Sequence, residues 1–236
     1  MSNSNNRLSS YLKDSKVIII FLLSVFGSRI NLSAQSNYNE YGSFIGGLVA
    51  GANFVQVDGD GYRGYQKTTP TGGGIIYFPI ADAGIPFPGT LAWSMEVLYS
   101  QKGAFGDGVG ASPNMISQEI TLHYAEVPIL VNWYRNPRKS IYGMGFALSA
   151  LGASTEKITL YNGDIYKYPF RKYDVSFVMS LNFHIAKGFF LNPRFNYSLV
   201  SIRKKDSGAS AYGRENQFNN VLGLRIMYLF DVRGRQ

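Results

Sequence analysis

The sequence lacks the features that define several protein classes. Its 236 residues include no cysteine, which excludes disulfides, thiolate metal sites and a lipoprotein anchor. Its most apolar stretch, 17–26, is far shorter than the about 20 residues that a membrane-spanning helix needs. Charged residues make up only 16%, and the net charge of residues 35–236, 19 − 14 = +5, is too mild and too scattered to indicate nucleic acid. We therefore predict no nucleic-acid partner and no membrane helix.

Glycine and aromatic residues are abundant instead, with 26 Gly, 17 Tyr and 16 Phe. Glycine suits the bends and tight interiors of barrels, and aromatic residues suit membrane interfaces. The segment 172–186, KYDVSFVMSLNFHIA, has an apolar residue at every second position and mostly polar residues between them. Such a long alternation predicts a strand that turns one apolar face to lipid, with Phe177, Met179, Leu181 and Phe183 outward and Ser176, Ser180 and Asn182 inward.

Seven further segments resemble this strand. The candidate strands span about 43–57, 72–80, 90–102, 115–134, 141–154, 172–186, 189–202 and 217–230. The connectors alternate in length. Short ones lie at 82–89, 135–140 and 187–188, and long ones at 58–69, 103–114, 155–171 and 203–216. Short periplasmic turns and long external loops are typical of outer-membrane barrels. We predict an all-β fold, an eight-stranded antiparallel up-and-down transmembrane β-barrel with a filled lumen, in the cell outer membrane.

The N-terminal segment 1–34 is predicted to be a signal peptide. It has basic residues at Arg7, Lys13 and Lys16, an apolar core at 17–26 and small residues before a cut after Ala34. The alternative, a membrane anchor, is disfavoured by the shortness of the core. The predicted order is completed by a short periplasmic lead at 35–42, the barrel at 43–230 and a periplasmic tail at 231–236.

Three motifs carry a family resemblance. The first is the loop formed by Asp58, Gly59, Asp60, Gly61, Tyr62, Arg63, Gly64, Tyr65, Gln66 and Lys67. The others are 124–128, YAEVP, and 217–220, QFNN. Together they resemble the outer-membrane β-barrel domain family of Bacteroidetes-type bacteria, often labelled PorT-like, over about 43–230. The resemblance implies a small eight-stranded barrel, and it implies a role in type IX secretion or gliding machinery for some members.

Two ligand-binding interpretations of the first motif are weak. Residues 59–64 match the spacing GxGxxG, but a nucleotide site would need a following helix, and a strand is predicted there. Asp58 and Asp60 could begin a calcium loop, but Tyr62 stands where a third oxygen ligand belongs. We predict a Gly-rich turn shaped by Asx hydrogen bonds, with no cofactor and no metal.

The sequence also offers no catalytic constellation. His123 and His184 are its two histidines, and neither G-x-S-x-G nor H-E-x-x-H occurs. His184 is expected near the inner end of its strand, facing the lumen, and His123 outward or in a kink. We therefore predict that the protein is not an enzyme.

Four charged residues lie at inward positions of their predicted strands, namely Glu96, Glu126, Arg194 and Arg225. Charges enclosed in a narrow interior must pair, so these four are predicted to form one connected network in the lower half of the barrel. A static plug is the favoured interpretation because eight strands leave little free bore, and a proton- or ligand-sensitive gate is the alternative. Arg203 is expected in an outer loop.

The last strand resembles the insertion signal read by the barrel assembly machinery, through Gly223, Tyr228 and Phe230. An ordinary strand with an aromatic belt would look the same. The expected partners are outer-membrane lipids, this machinery during insertion, and a protein in the envelope. The expected function is that of a non-enzymatic accessory or docking subunit of an envelope assembly. The alternatives are a narrow pore or small-solute-binding barrel and, third, a lipid-modifying enzyme.

Overall fold

A computed structural model describes residues 44–79, 90–107, 115–136, 140–160, 169–204 and 216–230. Its strands are β1 Ile45–Asp58, β2 Lys67–Pro79, β3 Thr90–Asp107, β4 Met115–Asn136, β5 Ser140–Leu160, β6 Tyr173–Ala186, β7 Phe189–Ser198 and β8 Phe218–Leu229. The predicted signal peptide, periplasmic lead, connector 82–89 and tail 231–236 lie outside these residues. Within the described part of the chain, no helix is long and apolar enough to cross a membrane.

The eight strands close into one barrel. Each strand pairs antiparallel with the next, and β1 pairs with β8 from Gly47↔Leu229 to Asp58↔Phe218. Closure leaves no sheet edge along the wall, which is the condition for crossing a bilayer with strands. The predicted fold class is confirmed.

The two faces of the wall are also as predicted. Met179 is 47% exposed, whereas its neighbour Ser180 is 4% exposed, and the alternation continues along β6. The outward face is apolar on the other strands too, with Leu48, Val97, Ile129, Met144, Phe146, Leu148 and Leu224 among its exposed side chains. A polar interior behind an apolar exterior is the reverse of a soluble barrel, and it places this chain in the outer membrane.

Aromatic side chains mark one border of the apolar wall. At the end with short turns they lie near the strand ends: Trp93, Tyr142, Phe183, Phe189, Tyr228 and Phe230. Pairs of them are in contact, such as Phe189 with Tyr228 at 4.7 Å between ring centroids. Such a girdle sits at the membrane–water interface.

Several strands are longer than predicted. β2 begins at Lys67 instead of 72, β3 continues to Asp107 and β5 to Leu160, whereas β7 ends at Ser198. The first three predicted long loops are correspondingly shorter, whereas the last one, between β7 and β8, is longer. Sequence alternation did not reveal the added segments because, beyond the membrane, neither face of a strand has to be apolar.

The outer ends of β3, β4 and β5 form a three-stranded sheet that we call the β3–β5 extension, comprising 101–107, 115–124 and 151–160. Pairing of β2 with β3 ends at Thr71↔Ser100, and pairing of β5 with β6 ends at Ala150↔Tyr173. β4 still pairs with both neighbours, out to Asp107↔Ser117 and Met115↔Leu160. Because about 9–11 residues span a bilayer, strands of 18, 22 and 21 residues rise beyond it at the end with long connectors.

Candidate functional site in the barrel interior

The lower charge cluster lies nearer the short turns and consists of Glu96, Arg194 and Arg225. Glu96 Oε2 accepts hydrogen bonds from Arg194 Nη1 at 2.8 Å and from Arg225 Nη1 at 2.9 Å. Arg225 Nε also donates to Asn192 Oδ1 at 2.7 Å. All of these side chains are buried. One carboxylate therefore holds two guanidiniums, and the cluster has an excess charge of 2 − 1 = +1.

The upper charge cluster lies nearer the long connectors and consists of Lys102, Glu126 and Asp174. Lys102 Nζ is 2.7 Å from Glu126 Oε2 and 3.6 Å from Asp174 Oδ2. Amide and hydroxyl groups complete the shell: Asn196 and Ser149 donate to Glu126, and Ser198 and Asn219 donate to Asp174. One ammonium between two carboxylates gives an excess charge of 1 − 2 = −1.

The predicted four-residue network is thus divided. Three of its members, Glu96, Arg194 and Arg225, are in direct contact, whereas Glu126 pairs with Lys102 instead of an arginine. Lys102 and Asp174 were missed, although both occupy inward positions of their strands. Face parity, which is the alternation of inward and outward positions along a strand, could have identified them. Their partners could not be read from parity because the tilt and stagger of strands decide which side chains meet across a barrel.

A small cavity lies between the two clusters. Its volume is about 10 Å³, and its lining includes Glu126, Arg194, Asn196, Gly223 and Arg225. Arg194 Nε and Nη2 and Asn196 Oδ1 are buried and have no hydrogen-bond partner among the described residues. The clusters are therefore close neighbours, separated by space for about one water molecule.

Arg203 was expected in an outer loop, and it does lie in the long connector between β7 and β8, but its side chain is buried there. Its side chain is 1% exposed, and its Nη2 and Nη1 donate to the two carboxylate oxygens of Glu156 at 2.6 and 3.0 Å. Arg203 Nε donates to Gln217 at 2.6 Å, and the guanidinium lies 3.9 Å from the Phe170 ring centroid. Because β5 continues to Leu160, it carries Glu156 up to meet this residue.

Apolar side chains lie on both sides of the charged layers. One group contains Val49, Ile75, Tyr77, Leu98, Phe190, Met227 and Leu229. The other contains Val57, Ala104, Ile120, Leu122, Tyr124 and Ile202. The interior is therefore a stack of apolar and charged layers.

The three resemblance motifs meet at the end with long connectors. Tyr65 donates to Asn220 Oδ1 at 2.7 Å, and Asn220 Nδ2 donates to Asp58 Oδ2 at 3.2 Å, so the first motif contacts the third. The third motif also reaches the upper cluster, since Asn219 contacts Asp174, whereas the second motif supplies Glu126. The motifs thus share a structural location that their spacing in the chain did not reveal.

The first motif forms a tight turn. Tyr62 N donates to Asp60 Oδ1 at 2.9 Å, an Asx turn. Gly59, Gly61 and Gly64 all have positive φ, and a Cβ at Gly59 would lie 2.2 Å from Asn216 O. Lys67 already belongs to β2 and donates to Glu119 Oε1 at 3.0 Å. Within the described residues no group of three or more His, Asp or Glu side chains could hold a metal.

The remaining predicted site residues lie on β8 and beside it. Tyr228 and Phe230 are exposed on the wall and contact each other. Gly223 faces the interior, where an added Cβ would lie 3.2 Å from Asn53 Oδ1 and 3.5 Å from Arg194 Cβ. Gly223 therefore has a packing role in the interior, whereas its part in an insertion signal stays a prediction.

The two histidines are far apart in the chain and in different surroundings. His123 is on the outward face, beside a β-bulge, with Nδ1 2.8 Å from Tyr99 OH. His184 is exposed at the end of β6, and its ring centroid is 5.3 Å from that of Phe190.

Comparison with known proteins gives limited information. No protein-family model matches the chain, and no curated protein matches it. Among solved structures, Ail, the attachment invasion locus protein of Yersinia pestis, is 14% identical, with a TM-score of 0.37 over 80% of this chain and 99% of Ail. Neisserial surface protein A is 10% identical, with a TM-score of 0.41 over 79% and 96%. The outer-membrane enzyme PagL is 8% identical, with a TM-score of 0.35 over 79% and 99%. Similarities this low say nothing about function, and the barrel is established by its own strand pairing.

Proposed function

We propose that the protein is a non-enzymatic accessory or docking subunit of an envelope assembly, and that it acts through the β3–β5 extension. The observation that carries this proposal is the combination of a filled interior with a sheet that continues beyond the bilayer. A barrel whose bore holds two charge clusters and two apolar groups offers little space for a solute to pass. Its useful surfaces are then the wall and the parts outside the membrane.

The outward face of the β3–β5 extension has the composition of a protein-binding surface. Phe105 is 39% exposed on this face, and Ile116, at the irregular start of β4, is 38% exposed. Both lie above the level at which β3 leaves β2. Glu119 is paired in register with Phe105 on one side and with Lys157 on the other. Exposed aromatic and aliphatic side chains flanked by opposite charges favour a protein partner, because binding removes the apolar side chains from water.

The resemblance supports an envelope assembly as the setting. Some members of the PorT-like family serve type IX secretion or gliding machinery, and we propose a similar accessory role here. An even strand count puts both ends of the barrel on the short-turn side, so the extension would face outward from the cell. A narrow pore has less support because the charged layers fill the bore, and the proposal includes no catalytic step.

Site-specific photocrosslinking in the native membrane tests this proposal. A photoreactive amino acid at Phe105 or Ile116 should give one defined protein adduct, identified by mass spectrometry. The same probe at Phe146, which is 57% exposed on the wall, should give lipid adducts. Phe105→Ser should remove the adduct formed from position 116 while the barrel stays folded. Lipid adducts alone at all three positions would contradict a docking role for the extension.

A further inference from the structure

We propose that a single buried water molecule occupies the cavity between the lower and upper charge clusters and joins them into one neutral network. Three observations carry this inference: the size of the cavity, the polar groups that face it, and the glycine at its wall. None of them depends on the docking function proposed above.

The size of the cavity fits water and excludes larger ligands. Its volume of about 10 Å³ is close to the minimum that holds one water molecule. A chloride ion is larger than water, and so is any organic solute. The cavity is also polar, since Asn53, Thr71 and Ser100 line it together with the charged residues. Polar cavities of this size hold ordered water, whereas apolar ones stay dry.

The groups around the cavity supply both donors and acceptors. Arg194 is 7% exposed and contacts Glu96 through Nη1. Its other two guanidinium nitrogens, Nε and Nη2, have no hydrogen-bond partner among the described residues. Asn196 is 3% exposed, and its Oδ1 likewise has no partner, because only its Nδ2 is used, by Glu126. A water can accept from the guanidinium and donate to the amide oxygen, which satisfies both groups at once.

The water would also lie between two clusters of opposite excess charge. The lower cluster has an excess of +1 and the upper cluster an excess of −1, so the six groups together are neutral. Arg194 belongs to the lower cluster, and Asn196 is bonded to Glu126 of the upper cluster. A water between Arg194 and Asn196 therefore connects one cluster to the other.

Gly223 keeps the space open. It lines the cavity, and an added Cβ would lie 3.5 Å from Arg194 Cβ and 3.2 Å from Asn53 Oδ1. A methyl group would therefore fit with small shifts but would occupy the place of the water. A hydroxymethyl group would bring its own hydroxyl to nearly the same place.

This difference gives the test. Gly223→Ala should lower the midpoint of the heat-modifiable gel shift by about 5 °C, because it removes the partner of buried donors. Gly223→Ser should recover a large part of that loss. Gly74→Ala is the matched control, since a Cβ there meets nothing closer than 3.9 Å and lies away from the cavity. Equal midpoints for Gly223→Ala and Gly74→Ala would overturn the proposal.

A crystal structure of the wild-type protein provides direct detection. We expect one density peak within hydrogen-bond distance of Arg194 and Asn196, and no anomalous signal after bromide replaces chloride. A bromide peak at this position would identify an anion site and contradict a water. A cavity without density would contradict any bound species.

Discussion

The lower and upper charge clusters use the same kind of chemistry with opposite excess charge. In the lower cluster two guanidiniums share Glu96, whereas in the upper cluster two carboxylates share Lys102. Neither would be neutral if it were alone in a low-dielectric interior, where an uncompensated charge is costly. The comparison indicates that positive and negative charges balance over the two clusters together and not within each cluster. The following predictions test this balance of charge.

Glu96→Gln should have the largest effect. It removes the single carboxylate between Arg194 and Arg225 and leaves two buried cations facing each other. We expect the free energy of unfolding to fall by about 3–5 kcal/mol, measured by reversible urea unfolding in vesicles. Glu119→Gln is the control, because Glu119 forms a partly exposed pair with Lys67 outside the charge clusters. Equal losses for the two variants would show that the lower cluster is not a stabilising unit.

Arg203→Ala should cost about 3 kcal/mol, because it leaves the buried carboxylate of Glu156 without its cation. Arg194→Ala should cost less, because Glu96 keeps its contact with Arg225. Lys204 follows directly in the chain and is exposed, so Lys204→Ala should change stability by less than about 0.5 kcal/mol. The three variants are compared by the same urea unfolding. If Arg203→Ala behaved like Lys204→Ala, the position of Arg203 beneath Phe170 would be wrong.

Arg194→Met and Glu126→Gln should be non-additive. They lie in different clusters, on the two sides of the cavity, and have opposite charge. Removing both charges keeps the interior neutral, so the double variant should be more stable than the sum of the single effects by about 1 kcal/mol. A double-mutant cycle measures this coupling energy directly. A coupling energy within error of zero would mean that the two clusters are energetically independent and that their opposite charges do not compensate each other.

The smallest effect is expected outside the bilayer, at Glu119. The hydrogen bond and charge of Lys67 lower the pKa of Glu119 below its usual range. A lowered pKa means that the pairing contributes stability above the ordinary glutamate pKa, and that this contribution is lost as the pH falls through the lowered value. The carboxyl carbon of Glu119 should titrate at a lower pH than that of a free glutamate in NMR spectra. Lys67→Met should move the titration midpoint of Glu119 to higher pH. An unchanged midpoint would exclude the contact between Lys67 and Glu119.

Much of the fold could be predicted from the sequence. The alternation in 172–186 was enough to assign the faces of Phe177, Met179 and Ser180, because lipid tolerates few polar side chains on a strand. The outer ends of β3 and β5, 103–107 and 155–160, were not predicted as strand because this constraint ends where the bilayer ends. Residues 155–157, TEK, are all polar and therefore have no alternation to detect.

The charged interior was predicted in part. The inward positions of Glu96, Arg194 and Arg225 follow from parity, and their contact follows from the need to pair buried charges. The pairing of Glu126 with Lys102 and that of Arg203 with Glu156 could not be predicted, because both depend on strand tilt. Parity assigns a face, whereas partners across a closed barrel depend on its three-dimensional stagger.

The central claim is that the two clusters and the apolar groups around them close the barrel interior. Single-channel recording of the purified protein in a planar bilayer, in concentrated KCl, tests it most directly. The account predicts no steady conductance steps for the wild-type protein at moderate voltages. Reproducible ohmic steps that scale with the amount of inserted protein would contradict it, and the narrow pore would then be the better description.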